Sequence, residues 1–274
     1  MSRATEQMVK DHLKKLSKET QLPFNQLLDT LFLERFLVRV GRSKFKDNLV
    51  FKGGMCLGQY LDLGRETRDI DFLILKLDIS KEKVLDVFNE ISLIDTGDEF
   101  VFDKAQIDSL SLEHKKYPGY RVQILGHLGK MQVPIQIDVG VGDVVRPKVL
   151  ELELIHEKKP LFNDSINLNA YPPEYIFSEK LEAILYLRDI NGRMKDFYDC
   201  WRIINDKKIN ISGFKKAIED TFANRGTEFE FVNEDVTELQ VRWNSFTRKN
   251  LFKDLDLLVV VKDINSFLRE IGFS

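Results

Sequence analysis

The sequence predicts an α+β fold. A small mixed or antiparallel sheet with N-terminal helices is expected over residues 1–165, and an α-helical lobe over 166–274. Two patterns carry this. Residues 99–154 alternate and are rich in Val, Ile and Leu, as in Gly-Tyr-Arg-Val-Gln-Ile-Leu-Gly and Met-Gln-Val-Pro-Ile-Gln-Ile-Asp-Val-Gly, the period of strands with one buried face. From Pro172-Pro173 onward the apolar spacing turns helical and stays so to the end. A cleft between two such lobes is a usual place for a ligand.

Residues 4–18 read as a polar amphipathic helix. Thr20 and Pro23 signal a second helix over 23–41, with apolar side chains at 24, 27, 28, 31, 32, 36 and 37 in one stripe. Leu49-Val50-Phe51 reads as a strand over 48–51, Met55 to Leu61 as a short helix, and 70–76 as another strand. Ser80 is placed to cap a helix over 80–92, with Lys83 at its third position. His127-Leu128-Gly129-Lys130 reads as a turn between antiparallel strands. Pro134 lacks the N–H a ladder needs and predicts an edge strand or a bulge, and Asp138 ends the run Ile135-Gln136-Ile137. Helices are expected at about 173–189, 195–207, 212–224, 235–249 and 262–271, with Gly192 ending the first as its C′ residue.

The 274 residues, 43% of them apolar, suffice for one large domain or two ordinary ones. No run of 18 apolar residues occurs, so no membrane-spanning helix is expected. The N-terminus lacks the apolar stretch of a signal peptide. Cys56 and Cys200 sit in apolar settings and read as small core residues rather than a disulfide, which fits a cytoplasmic location. The net charge of −3 does not advertise nucleic-acid binding, although local basic patches stay open. His12, His114, His127 and His156 are scattered and give no zinc spacing or local triad.

The densest chemistry lies in residues 51–73. Lys52, Gly53 and Gly54 follow a strand and open a helix, a turn that aims backbone N–H groups at an anion. Asp69 and Asp71 start the next strand and share a face, roughly 6.5–7 Å apart along the backbone. Such a pair is either two acids on a solvent face or, with a cation between them, a magnesium site. A second constellation lies in the helical half. Lys180 is either a solvated lysine or a cation of the site. Asp196 and Asp199 share a helix face beside Lys195, where Asp196 also suits the positive end of its helix.

Together these residues resemble the AbiEii/AbiGii-type nucleotidyltransferase toxins, a branch of the polymerase-β-like nucleotidyltransferase superfamily. Three blocks carry the resemblance: Glu34-Arg35-Phe36-Leu37-Val38-Arg39-Val40; Phe51-Lys52-Gly53-Gly54 through Arg65-Glu66-Thr67-Arg68-Asp69-Ile70-Asp71-Phe72; and Glu179-Lys180-Leu181-Glu182-Ala183 with Lys195-Asp196-Phe197-Tyr198-Asp199. It spans about residues 30–205. The resemblance implies a nucleotidyltransferase core with its active site between the lobes. The reaction implied is magnesium-dependent transfer of a nucleotide from an NTP to RNA, notably tRNA, by the toxin of a type IV toxin–antitoxin or phage-defence system. A cognate antitoxin is the implied partner. On this chain, Asp69 and Asp71 would hold magnesium, Lys52, Gly53, Gly54 and Lys195 would face the phosphates, and Lys180 would contact the triphosphate. Asp196, with Asp199 behind it, would complete the site, and Asp138 would orient or deprotonate the acceptor. Two positions depart from the family: Met55 replaces a Ser or Thr, and Lys195 replaces an Arg. Transfer to protein or an antibiotic, and an inactive binding module of the same fold, are the rival readings.

Overall fold

The computed structural model describes residues 5–110, 119–152, 161–162, 164–250, 252 and 255–274. The alternating sequence forms an eight-stranded mixed sheet. Its strands are β1 (Leu49–Lys52), β2 (Asp69–Ile74), β3 (Val101–Phe102), β4 (Gln106–Leu110), β5 (Gly119–Leu128), β6 (Met131–Gly140), β7 (Lys148–Glu151) and β8 (Asn167–Ala170). The order is β3-β5-β6-β2-β1-β8-β7, with β4 also paired to β5. The β5–β6, β1–β2 and β7–β8 pairs are antiparallel, whereas β2–β6 and β1–β8 are parallel.

Alternation gives this sheet two unlike faces. Met131, Val133, Ile135, Ile137 and Val139 of β6 are buried, as are Tyr120, Val122, Ile124 and Leu128 of β5. Helices α1 (Glu6–Thr20), α2 (Phe24–Arg42) and α4 (Lys81–Ser92) cover that side. A Cβ on Gly126 would lie 2.6 Å from the Phe32 ring, so glycine there lets α2 seat directly on β5. The stripe read from 24 to 37 is buried through Leu27, Leu31, Phe32, Phe36 and Leu37. Arg35 and Arg39, one turn apart in this same helix, are buried too. They grip Asp98, with Arg35 Nε donating at 2.6 Å and Arg39 Nη2 at 2.8 Å.

The opposite face of the sheet carries the polar residues and meets the helical half. There α5 (Pro173–Leu187) packs against α3 (Gly53–Leu57), α6 (Met194–Asn205) and α7 (Phe214–Arg225), and α6 packs on α8 (Gln240–Lys249) and α9 (Leu257–Glu270). Among the described residues no helix is long and apolar enough to cross a membrane. Cys56 and Cys200 are buried and unlinked.

Several local expectations change. The sheet takes in β8, so a division at 165/166 would part β8 from its partner β7; strands give way to helices at Pro173. Pro134 lies within the internal strand β6, without a bulge, opposite Leu125. Pairing to β2 begins only at Gln136, so Pro134 sits where β6 has a single neighbour and its missing N–H costs no bond. Gly192 does not cap α5: the helix ends at Leu187, and Arg188 makes the turn with φ +45°. Ser80 holds the cap position of α4 without a side-chain cap bond, and its own N–H donates to Asp78. Asp138 does not end its strand, which continues to Gly140. His114 and His156 lie outside the described residues.

Candidate active site

The register of four strands aligns one charged row across the polar face. Arg121 of β5 stands opposite Asp138 of β6, Asp138 beside Asp71 of β2, and Asp71 opposite Lys52 of β1. Asp69 occupies the next row on the same face, beside Gln136. Neighbouring strands are about 4.8 Å apart, which places these carboxylates close together. They form the floor of a cleft of about 430 Å³ whose walls include Gly53, Gly54, Glu179, Lys180, Arg193, Lys195 and Arg225.

The two ends of the row are neutralised and its centre is not. Asp138 accepts two bonds from Arg121, each 2.8 Å long. Asp69 and Asp71 make no ion pair with the described residues and are half-buried. Asp71 is pushed up to about 6, first by desolvation deep on the cleft floor and then by the Asp69 carboxylate. It leans over Gly53, where φ is +73° and a Cβ would lie 1.9 Å from Asp71 Oδ2. Only glycine lets this backbone turn pass so close beneath the acid.

Lys180 enters from α5 and is buried at the cleft wall. Its ammonium donates to Asp196 at 2.7 Å and lies 2.8 Å from Asp199. Burial works against its charge, but the two carboxylates outweigh that and hold its pKa above the ordinary lysine range. An ammonium has three donors, so one is left for the cleft. Asp196 is fully buried, with its second oxygen bonded to Arg193 Nε at 2.6 Å. Its burial favours the neutral acid, yet Lys180 and Arg193 prevail and keep it low. Asp199 takes a bidentate pair from Arg65 at 2.8 and 2.6 Å. The sequence reading has Asp196 complete the site with Asp199 behind it; neither acid lines the cleft. Both stand behind the wall, where they fix Lys180 and Arg65.

Lys52 was expected to face phosphates. It borders the cleft, but its ammonium is held by both Glu179 oxygens at 2.6 and 2.9 Å, and by Asp143 at 3.3 Å. Its three donors are thereby used. Desolvation lowers its pKa, but Glu179 and Asp143 more than offset this and raise it. Lys195 is exposed on the cleft wall, without an ion pair to the described residues. Met55 packs against the hydrophobic core, away from the cleft lining.

Sequence reasoning missed Arg121, Asp143 and Arg225. Arg225 Nη2 meets Asp143 at 2.9 Å, and its Nη1 meets Glu182 at 2.6 Å. Arg121 had a readable signal, an outward position on an alternating strand. Arg225 closes a helix far along the chain and had none. Among the described residues no group of three or more His, Cys, Asp or Glu is arranged to hold a metal ion. Two unpaired carboxylates still suit magnesium, which commonly takes one or two carboxylates and fills its remaining positions with phosphate and water oxygens.

Comparison with known proteins bears on this geometry. The profile of the family described as "Nucleotidyl transferase AbiEii toxin, Type IV TA system" matches residues 35–270. The chain belongs to this AbiEii toxin family. The match begins at Arg35 on α2 and ends at Glu270, so it takes in every cleft residue named above. No curated protein matches the chain. Among solved structures, JHP933 from Helicobacter pylori is similar at TM-score 0.52 and 13% identity, covering 91% of this chain and 93% of that one. A second H. pylori structure, solved as a candidate nucleotidyltransferase, is similar at TM-score 0.50 and 13% identity, covering 91% and 96%. At such identity the likeness concerns the fold. As an AbiEii member the protein is a nucleotidyltransferase-family toxin, and the family implies a cognate antitoxin.

Proposed function

We propose that this protein transfers a nucleotide from an NTP to RNA, tRNA foremost, in a magnesium-dependent reaction. It would act in the cytoplasm as the toxin of a type IV or phage-defence pair, with its antitoxin as partner. One observation carries the reading. Asp69 and Asp71, two half-buried acids on one face of the sheet, make no ion pair with the described residues, while cations line the cleft around them.

In the reaction an acceptor hydroxyl attacks the α-phosphorus and gives up its proton to solvent water, the bond from the α-phosphorus to the oxygen bridging it to the β-phosphate breaks, and pyrophosphate leaves. Asp69 and Asp71 would hold magnesium, which supplies charge stabilisation at the attacking and leaving oxygens. Gly53 and Gly54 would let the backbone approach the triphosphate. Lys180, fixed by Asp196 and Asp199, would give its remaining donor to a phosphate oxygen as a point charge. Lys195 would add charge at the wall. Asp138, with both oxygens on Arg121, suits orientation of the acceptor better than removal of its proton. Most of this catalysis would be preorganised electrostatics. With Met55 turned toward the core, the geometry lends the inactive-module reading no support.

The test incubates purified protein with magnesium, each labelled NTP and total RNA. Label should pass to RNA, and Asp71→Asn should lose it. Transfer unaffected by Asp71→Asn, or no transfer from any NTP, would overturn the proposal. Label on protein or an aminoglycoside would redirect it to another acceptor.

A further inference from the structure

One feature of the cleft floor sets Asp138 apart from Asp69 and Asp71. Of these three carboxylates, only Asp138 has an ion pair among the described residues, to Arg121 with two bonds of 2.8 Å. That cation is not locked in place, since the Arg121 side chain is 37% exposed and borders the cleft. It also has a neutral partner within reach. The Gln136 amide oxygen, in the orientation that satisfies both partners, already lies 3.3 Å from both Nε and Nη2 of Arg121. Releasing Asp138 would therefore not strand the guanidinium. Asp138 meanwhile stands in register beside Asp71, on the same face and about one strand spacing away.

We propose that Arg121 is an internal counter-ion that occupies Asp138 in the empty cleft and yields it to the incoming divalent cation. Arg121 then acts as a positioning residue that sets metal affinity. Asp69 and Asp71 line the cleft without an ion pair to the described residues, and Asp138 joins them only when Arg121 lets go of it and keeps Gln136. The inference rests on the reading that Asp69 and Asp71 hold a divalent cation. Its physical basis is competition: a fork-shaped guanidinium and a metal ion cannot both take the same two oxygens.

The experiment measures Mn2+ binding to the full-length protein without nucleotide, by calorimetry and by loss of the free-ion paramagnetic resonance signal. Arg121→Gln should bind Mn2+ about three- to tenfold more tightly than the unmodified protein, the range expected for freeing one partly exposed ion pair. A general loss of positive charge would tighten binding in any background. The pair is therefore isolated by Asp138→Asn. In that background, adding Arg121→Gln should leave the affinity unchanged. Arg121→Lys, which keeps the charge but loses the fork, should fall between the extremes, and circular dichroism checks that each variant is folded. Equal affinities for Arg121→Gln and the unmodified protein, or an equal gain with and without Asp138, would overturn the proposal while leaving the metal site standing. Mn2+ binding that Asp71→Asn does not weaken would remove the metal site, and this proposal with it.

Discussion

At neutral pH an ionised Asp71 has the carboxylates of Asp69 and Asp138 near it and no ion pair to the described residues. Its pKa in the folded protein, about 6, lies above the ordinary value, so the folded protein holds a proton more tightly than the unfolded chain does. The ionised acid therefore costs stability above pH 6, and the cost fades as pH falls through 6 and is gone below about pH 3, where both states are protonated. Asp71→Asn removes it. In metal-free buffer at pH 7.5 the variant should be more stable, by about 1–2 kcal/mol after screening by cleft water, while losing transfer. Urea titrations at about pH 7.5 and pH 3 check the sign, since the gain must disappear at the lower value. Gly53→Ala tests the backbone beneath the same acid. At φ +73° the new methyl would meet Asp71 Oδ2, so transfer should be lost alongside a strain cost of about 1–3 kcal/mol. Both placements were legible in the sequence, because i, i+2 spacing in a strand and Gly-Gly at a strand end are local signals. The Arg121–Asp138 pair was not, because it joins two strands and depends on register.

Helix α2 looks in sequence like an apolar stripe with arginines on its other side. The stripe is real, but Arg35 and Arg39 are buried as well, balanced by Asp98, which both share, and by Asp164, which pairs with Arg35. Periodicity places a side chain on a face, but it cannot show that a loop 60 residues on supplies the balancing charge. Asp98→Asn would leave the buried Arg39 without its carboxylate and Arg35 with Asp164 alone, and should cost about 3–5 kcal/mol at pH 7. Burial alone would raise the Asp98 pKa. Arg39 and Arg35 outweigh that and hold it at about 2, below its unfolded value. The stabilisation is thus complete above about pH 4 and lost as pH falls toward 2. Denaturation of both proteins across that range should show the deficit of the variant shrinking as pH drops. Helix α6 works in a similar way. Tyr198 donates to Leu63 O at 2.8 Å and Asp199 grips Arg65, so this helix holds the loop ahead of β2. Its Asp-x-x-Asp spacing was readable, but the direction in which those acids act was not.

The sheet and the helical half are joined at the cleft by charge as much as by apolar packing. Lys52 of β1, Asp143 after β6, Glu179 and Glu182 of α5 and Arg225 of α7 form one connected set. Arg225 is its centre, touching three acids from two parts of the chain, and its side chain is only 6% exposed. Burial opposes its charge, and Glu179, Asp143 and Glu182 together raise its pKa. Removing such a partner leaves buried carboxylates uncompensated, which typically costs about 3–5 kcal/mol. Arg225→Met keeps the bulk and discards the charge. Its effect should therefore appear in two places. Global stability should drop by roughly that amount in urea. Amide exchange should also quicken in β1 and in the first turns of α5, the elements that Lys52 and Glu179 hold together. Restoring charge balance by adding Glu182→Gln should recover part of the loss, because these sites share one network and their effects are not additive. An Arg225→Met protein of unchanged stability and unchanged exchange would show that apolar packing alone joins the halves. The cleft would then owe its shape to the core beneath it, and not to the charges along its wall.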